Sequence, residues 1–299
     1  MTAASRRGGG AALAALFSGA AAIASSALFV KVSEAGPIST GFWRVCLALP
    51  VLWVWAAYDS RQRPHAITRA DLRLHVLAGF FFAGDLAVWH WSILLTSVAN
   101  AVLLANCAPI FVTLAAWLLF RSLPNARFLA GLAAALAGMF LLLRGDFHSG
   151  GSALLGDALG LTTALFYAGY QLTVTRARGT VSTARLMAVS GTVTALLLLP
   201  LALASGERLL PVSAYGWLLL VGLAMISHVV GQSLIAFALA HLPSTFSSVA
   251  LLMQAVIAAA LAWVLLGETL TVLAIAGGVL VLIGIRIAHS AERGTRSVV

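Results

Sequence analysis

One carboxylate, Asp85, lies well inside a long apolar run of this sequence. An ionised carboxylate near the bilayer centre costs at least about 2.5–3.5 kcal/mol on insertion scales, so Asp85 is expected to face a cavity or a helix bundle rather than lipid. At 100° per residue, Trp89 shares its helix face with Asp85, whereas Ala83 and Ala87 lie opposite. We interpret Asp85 as a contact for a substrate amine or as a proton-coupling site; a structural hydrogen bond between helices is the alternative.

Polar and aromatic side chains also share faces in two other apolar runs. Tyr167 and Tyr170 lie on one helix face with Gln171 at its edge, and His228 is four residues from Gln232. Tyrosine can stack on an apolar or aromatic molecule and also donate a hydrogen bond. These faces are therefore predicted to line a cavity, with polar contacts between helices as the alternative.

Arg44 lies about two turns into an apolar run and has two interpretations. Its long side chain could extend outward and pair with Glu34. Alternatively, its planar guanidinium could bind a substrate carboxylate through two hydrogen bonds. The candidate substrate-binding residues are Arg44, Asp85, Trp89, Asn106, Tyr167, Tyr170, Gln171, His228, Gln232 and Gln254.

The sequence predicts no metal site and no cofactor. Cys46 and Cys107 fall inside apolar runs without CxxC or Cys/His ligand spacing. There is no GxxxxGKS or GxxxxGKT motif, so ATP is not the expected energy source. The motifs HExxH and GxSxG, which intramembrane hydrolysis could use, are missing as well.

The composition identifies the elements that must position these side chains. Of the 299 residues, 61% are hydrophobic and 9% are charged, and the mean hydropathy is +1.01. Soluble domains average about 45–50% apolar and about 25% charged residues, so an integral membrane protein is predicted. The net charge of +9 is carried between apolar runs and is interpreted as an orientation signal, not as a surface for nucleic acid.

We predict an all-α integral membrane fold of ten transmembrane helices, since each span needs about 20 apolar residues. Short turns at 96–97 and 241–243 decide between ten ordinary helices and eight long ones, and Pro243 favours ten. The predicted spans are 11–30, 38–57, 73–95, 98–120, 127–143, 153–174, 185–204, 213–239, 244–266 and 270–288.

The basic residues predict the orientation of these spans. Fourteen of the 18 lie in segments on the same side as the N-terminus. The positive-inside rule therefore places both termini, as tails 1–10 and 290–299, in the cytoplasm. The expected location is a bacterial-type inner membrane.

An internal repeat relates the two halves of the chain. Trp117 and Trp263 lie 146 positions apart, as do the pairs Gly131/Gly277 and Gly138/Gly284. Gly84-Asp85 and Gly231-Gln232 match at 147 positions, a difference that one residue in a loop would absorb. Because each half holds five spans, the halves 11–147 and 148–289 must insert with opposite topologies. Such inverted repeats form transporters with a site near the midplane, here a central cavity.

The sequence Pro37-Ile38-Ser39-Thr40-Gly41-Phe42-Trp43-Arg44 resembles the drug/metabolite transporter superfamily, in particular its EamA-type ten-helix members. Leu265-Leu266-Gly267-Glu268-Thr269-Leu270, followed by Gly277-Gly278, is similar to that family's closing pattern. The position equivalent to Glu268 in the first half is Ser122, so the halves differ there. The resemblance implies export of small metabolites, and aromatic amino acid exporters of the YddG type are one branch.

The predicted function is therefore secondary transport by alternating access, not catalysis. Few charges lie within the apolar runs, which favours amino acids, including aromatic or apolar ones, or other small amphiphilic metabolites or drugs. A small-solute channel and, less favoured, an intramembrane enzyme are the alternatives. The expected partners are a small-molecule substrate and the lipid bilayer, with no nucleic acid; monomer and homodimer both remain open. Spans one, three, four, six, eight and nine are expected to line the cavity.

Overall fold

The computed structural model describes residues 3–62, 67–121, 124–143, 153–177, 181–267 and 269–296, and all regular secondary structure in these ranges is helical. The helices are α1 Ala3–Ala24, α2 Ser26–Lys31, α3 Pro37–Cys46, α4 Leu49–Gln62, α5 Arg69–Leu95, α6 Val98–Ala105, α7 Ala108–Phe120, α8 Ala126–Leu143, α9 Ala153–Ala177, α10 Thr183–Ala204, α11 Ala214–Leu223, a π-helical segment Ala224–Gln232, α12 Ser233–Leu239, α13 Ser244–Ala250, α14 Met253–Leu266 and α15 Val272–Arg296.

These helices combine into ten spans, as predicted. Spans one, two, four and nine are the pairs α1–α2, α3–α4, α6–α7 and α13–α14, and span eight runs from α11 through the π-helical segment to α12. Spans three, five, six, seven and ten are the single helices α5, α8, α9, α10 and α15. The turns at 96–97 and 240–243 do interrupt the chain, which separates the helices into ten and not eight.

Nine spans in the described ranges are long and apolar enough to cross a membrane. The remaining span, span six, is helix α9. It is 25 residues long and carries Asp157, Tyr167, Tyr170 and Gln171 along its length. Its polar residues lower its hydropathy but do not shorten it, so it completes the multi-pass bundle.

The terminal helices continue beyond the predicted spans. Helix α1 begins at Ala3 and helix α15 ends at Arg296, so most of the predicted tails 1–10 and 290–299 is helical. Hydropathy marks where a span leaves lipid, whereas backbone hydrogen bonds can extend the helix into water. The predicted boundary between residues 147 and 148 lies outside the described residues.

Proline accounts for two of the helix breaks. Pro109 cannot donate to the carbonyl of Ala105, and α6 ends at Ala105. Pro50 has the same relation to Cys46, where α3 ends. Span nine breaks at 251–252, near the position equivalent to the break in span four, although no proline lies within span nine.

Spans five and ten cross through four glycines. A Cβ added to Gly131 would lie 2.8 Å from the carbonyl oxygen of Gly284, and one added to Gly138 would lie 2.6 Å from that of Gly277. Gly277 is the repeat equivalent of Gly131, and Gly284 is that of Gly138. Gly131 therefore contacts the equivalent of Gly138, and Gly138 contacts the equivalent of Gly131. The residue order shows that the two helices are antiparallel. This reciprocity is what an inverted repeat requires.

Residues spaced by four, Ala134/Gly138 and Ala274/Gly278, do not all take part in this contact, although Gly138 does. In the structure Ala134 is half-buried, and a Cβ on Gly278 would meet only Val256, at 3.4 Å. The two helices cross closely at two points, which are seven residues apart in each helix.

Spans one, three, six and eight follow the second register, of 147 positions. Gly19 in span one packs against Gly231 in span eight, since a Cβ on Gly19 would lie 2.9 Å from the Gly231 carbonyl oxygen. The equivalents of these two residues are Phe166 and Gly84, and a Cβ on Gly84 would overlap the Phe166 ring. The second repeat therefore has one residue fewer between its third and fourth spans than the first repeat.

Two glutamates join the repeats at one end of the bundle, which we call the Glu34 end. The Glu34 carboxylate accepts hydrogen bonds from the Ser213 hydroxyl (2.6 Å) and from the backbone N–H groups of Ser213 (2.9 Å) and Val212 (2.8 Å), next to the start of α11. Reciprocally, Glu207 accepts from the N–H of Ile38, at the start of α3, at 3.0 Å. Carboxylates stabilise helix N-termini, so each repeat caps a helix of the other.

Candidate functional site

A cavity of about 230 Å³ lies between the two repeats. This is somewhat below the roughly 300–1,000 Å³ of sites for drug-sized ligands, so it suits a smaller solute. Its walls come from spans one, two, three, four, six, eight and nine. Of the residues that the sequence predicts for the site, those that line it are Arg44, Asp85, Trp89, Asn106, Tyr167, Gln232 and Gln254.

Two opposite charges face this cavity from neighbouring spans. Arg44 is in α3, whose first residue is Pro37, and only 9% of its surface is exposed. Its Nε atom has no hydrogen-bond partner among the described residues. Asp85 lies in the middle of α5 and is half-buried because its side chain faces the cavity. A solute with an anionic and a cationic group would neutralise both residues.

The structure excludes the ion pair between Arg44 and Glu34. The Glu34 carboxylate is occupied at the start of α11, as described above. Hydrogen bonds from the Ser213 hydroxyl and backbone, with smaller contributions from the Val212 N–H and the charge of Arg208, lower the pKa of Glu34 below its usual value. Arg44 instead points into the cavity, so span two must be added to the predicted cavity-lining spans.

Aromatic rings give the cavity an apolar side. Trp89 lies edge-on to His90 with ring centroids 5.0 Å apart, and both residues line the cavity. Tyr167 is stacked on Tyr170 with centroids 6.3 Å apart and an interplanar angle of 6°. Tyr167 and Gln254 both line the cavity. The wall therefore combines ring surfaces with fixed polar groups.

Irregular helices supply three of the polar groups. Asn106 lies at the break in span four, where its Nδ2 donates to the Val102 carbonyl oxygen at 2.8 Å. Gln254 follows the break in span nine, and Gln232 is the last residue of the π-helical segment. Breaks and π-turns in membrane helices are tolerated where they line a cavity, and π-turns frequently occur at functional sites.

Three predicted residues lie behind the cavity wall. Tyr170 is 1% exposed, and its hydroxyl donates to the sulfur atom of Met187 at 4.0 Å. Gln171 is also 1% exposed, and neither atom of its amide has a partner in the described ranges. His228 packs its ring against Phe82, with centroids 5.5 Å apart. His228 is four residues from Gln232 in the π-helical segment, but only Gln232 lines the cavity.

Sequence reasoning missed several of the lining residues. His90 contacts the Leu86 carbonyl oxygen through Nδ1, and it also lines the cavity. A Cβ on Gly41 would lie 3.0 Å from the His90 ring, so span two approaches span three closely there. Thr40 adds a hydroxyl from the same turn. The adjacent Ser-Thr-Gly in span two was the available signal.

The same ranges also bear on metal binding and on the state of the two cysteines. The described residues contain no group of three or more His, Cys, Asp or Glu side chains that could hold a metal ion. Cys46 and Cys107 are free thiols. Glu268 and Ser122 lie outside the described residues.

Comparisons with known proteins agree with this architecture. The model of the EamA-like transporter family matches residues 9–144 and again residues 154–289. Twenty-nine chains among the solved structures also match. One of them, described only as "Crystal structure of protein", has a TM-score of 0.72 and 20% sequence identity, with 94% of this chain and 98% of that chain covered. At this identity the likeness shows the fold alone. No curated protein sequence matches the chain.

Proposed function

This chain belongs to the EamA-like transporter family, and from that premise we propose that it exports amino acids, including aromatic or apolar ones, by alternating access. Members of this family are transporters, and the family match supports a multi-pass membrane protein that is expected to bind a small molecule within the bilayer. The substrate, the direction of transport and the residues involved are our proposal.

The observation that carries the proposal is that Arg44 and Asp85, of opposite charge, both line one small cavity. The guanidinium of Arg44 would bind the substrate carboxylate through two hydrogen bonds. The carboxylate of Asp85 would accept hydrogen bonds from the substrate ammonium group. The substrate side chain would then lie against Trp89 and Tyr167, whose rings suit an apolar or aromatic group.

Neutral amides complete the proposed site. Asn106, Gln232 and Gln254 offer donors and acceptors without adding charge to the cavity. With one cation and one anion, the site matches a zwitterion in net charge, whereas a phosphorylated solute would call for additional cations. Tyr170, Gln171 and His228 would support this wall from behind, because they do not reach the cavity surface.

Asp85 is also the proposed proton-coupling residue. If the Asp85 carboxyl group binds a proton when the substrate ammonium group leaves, the movement of protons is linked to the movement of the substrate. The basic residues support the orientation: with both termini in the cytoplasm of a bacterial-type inner membrane, the Glu34 end faces outward. Export would then carry the solute from the cytoplasmic end to the Glu34 end.

The test is uptake of radiolabelled amino acids into proteoliposomes that contain the purified protein, with and without an imposed pH gradient. Saturable uptake, reduced by unlabelled competitors, is the expected result. Acceleration by the gradient would support proton coupling at Asp85, and saturable uptake without it would indicate facilitated diffusion. Absence of uptake for every amino acid would contradict the proposed substrate class.

A further inference from the structure

A further cavity, which we call the surface cavity, lies on the outside of the helix bundle. Its volume is about 270 Å³, and it lies between spans two and seven, beside the segment that leads into span three. None of its lining residues lines the cavity between the repeats. Trp53, Ala57 and Ile67 line it and are exposed, so it opens to the outside of the bundle, where lipid surrounds a membrane protein.

The surface cavity lies at the end of the bundle opposite Glu34. Ser60 is in the last turn of α4, and Arg185 is in the first turn of α10. Trp53 lies two turns before Ser60, which is about 10 Å along the helix axis at 1.5 Å per residue. The Trp53 indole N–H donates to the Thr192 hydroxyl at 3.1 Å, so its ring is held in place. The cavity therefore reaches from the helix ends, at the level of lipid headgroups, into the apolar part of the membrane.

A cation is fixed at the end of the surface cavity nearest the helix ends. The Nε atom of Arg185 donates to the Ser60 hydroxyl at 2.8 Å, and this hydroxyl donates to the Ala56 carbonyl oxygen at 2.6 Å. Arg185 is the one charged residue among the described residues that line the cavity. A guanidinium has five N–H donors in one plane, so it can serve several acceptors and matches the oxygens of a phosphate.

The charges around the surface cavity favour an anion. Arg61 and Arg69 are exposed near the same helix ends. The Asp71 carboxylate accepts hydrogen bonds from the Thr68 hydroxyl at 2.7 Å and from the Thr68 N–H at 3.0 Å, in the capping box of α5. Asp59 is not among the lining residues. The cavity therefore presents positive charge to a ligand.

The corresponding place at the Glu34 end shows how such a junction of helices can be completed. There the end of span seven meets the start of span two, and the Glu207 carboxylate accepts from the N–H of Ile38 at 3.0 Å. At the surface cavity the end of span two meets the start of span seven, and the shift of 147 positions relates Ser60 to Glu207. One junction therefore contains its own anion, whereas the other has a neutral hydroxyl beside Arg185. An anion from outside the chain would complete the second junction.

We infer that the surface cavity binds one anionic glycerophospholipid, with its phosphate on Arg185 and Ser60 and the upper part of an acyl chain against Trp53 and Val189. Tryptophan is enriched where headgroups meet acyl chains. Basic pockets between membrane helices at the cytoplasmic side bind acidic headgroups, and the orientation that the basic residues predict places this cavity on that side. One lining cation matches one phosphodiester. The inference does not depend on which solute the protein transports.

Native mass spectrometry of the full chain, released from detergent micelles, counts bound lipids and tests this site. Dioleoylphosphatidylglycerol, dioleoylphosphatidylcholine and inorganic phosphate are titrated into the wild type, Arg185→Gln and Ser60→Glu. Ser60→Glu supplies a carboxylate at the position related to Glu207, so it pairs with Arg185 and repels a phosphate. Arg286→Gln and Ser290→Glu are matched controls, because they make the same changes of charge in α15, outside the surface cavity.

The wild type is expected to bind phosphatidylglycerol roughly fivefold more tightly than phosphatidylcholine. Arg185→Gln and Ser60→Glu should lose this preference, and both controls should keep it. Equal binding of the two lipids by the wild type would overturn the inference, and so would a preference that survives in Ser60→Glu.

The remaining outcomes separate this site from other sources of the same preference. Loss of the preference in the controls as well would assign it to general surface charge and overturn the site. Inorganic phosphate that binds as tightly as phosphatidylglycerol would contradict a lipid site, because the apolar wall would then contribute nothing. If Arg185→Gln does not fold, the comparison of Ser60→Glu with Ser290→Glu decides.

Discussion

The two repeats share a backbone arrangement but carry different chemistry. Gly131 and Gly277 pack in equivalent ways, and the glycine contacts of spans five and ten are reciprocal. At the cavity, in contrast, the shift of 147 positions relates Arg44 of the first repeat to Gly191 and Asp85 to Gln232. Packing of helices is therefore maintained in both repeats, whereas charge is confined to one. The repeats therefore share their helix packing, and the proposed recognition of a charged substrate depends on residues of the first repeat.

Loss of the Arg44 charge should have the largest effect on transport. A hydrogen bond to a charged group contributes about 1.5–3 kcal/mol, so Arg44→Gln is expected to weaken apparent substrate affinity roughly 10- to 150-fold. Arg44→Lys should recover only part of this, because an ammonium group cannot bind a carboxylate through a planar pair of donors. Competition uptake measures the affinity. Arg286→Gln, which changes an exposed arginine of span ten, is the control.

Variants of Asp85 and Gln232 allow a direct comparison of transport at two equivalent positions of the repeats. Asp85→Asn should impair transport more than Gln232→Ala, because a charged partner contributes more than a neutral one, for which about 0.5–1.5 kcal/mol or up to roughly tenfold is expected. Tyr167→Ala should also reduce uptake. Each variant should still insert and elute as a single species on size exclusion. Normal transport by all three would remove the basis for the proposed site.

The reciprocal glycine contacts predict equal damage in the two repeats. Gly131→Ala and Gly277→Ala should each destabilise the protein by about 1–3 kcal/mol, because each new Cβ would meet backbone atoms of the other helix. Gly278→Ala is a matched control, since its Cβ would meet only Val256 at 3.4 Å and alanine favours helices. Thermal unfolding in detergent gives the comparison. Unequal losses at residues 131 and 277 would contradict the symmetry.

The smallest expected effect concerns Glu34. Because its pKa is lowered in the folded protein, the carboxylate contributes stability above its usual pKa of 4.5, and this contribution is lost as the pH falls through the lowered value. Glu34→Gln should therefore slightly reduce the melting temperature at neutral pH and flatten its decline in acid. Asp59→Asn, near the opposite end of span two, is the control. An unchanged acid profile in Glu34→Gln would contradict the stabilising role of this carboxylate.

Much of the fold could be predicted from the sequence. The ten spans follow from hydropathy and from the turns at 96–97 and 240–243, and the registers of 146 and 147 positions recur in the contacts of Gly131 and Gly84. These features depend on local composition and on repetition along the chain. Cavity-facing positions such as Asp85 and Trp89 could be selected in the same way, because a regular helix fixes which residues share a face.

The remaining features depend on contacts between distant segments. The partner of Glu34 is Ser213, 179 positions away, whereas the reach of the long Arg44 side chain, only ten positions along the chain, suggested Arg44 as the partner. His228 packs against Phe82 of span three and does not line the cavity, a contact between distant segments that helix periodicity cannot anticipate. No proline lies within span nine, so the sequence gives no local signal of the break at 251–252. Each of these features is decided by tertiary packing and not by local propensity.

The most direct test of recognition by the first repeat removes one group from the ligand and one from the protein. Binding of phenylalanine, phenethylamine and 3-phenylpropionate is measured by isothermal titration for the wild type, Arg44→Gln and Asp85→Asn. We predict that the wild type prefers phenylalanine, that Arg44→Gln no longer distinguishes it from phenethylamine, and that Asp85→Asn no longer distinguishes it from 3-phenylpropionate. Preferences unchanged in both variants would contradict the assignment of these two residues to the two ends of the substrate.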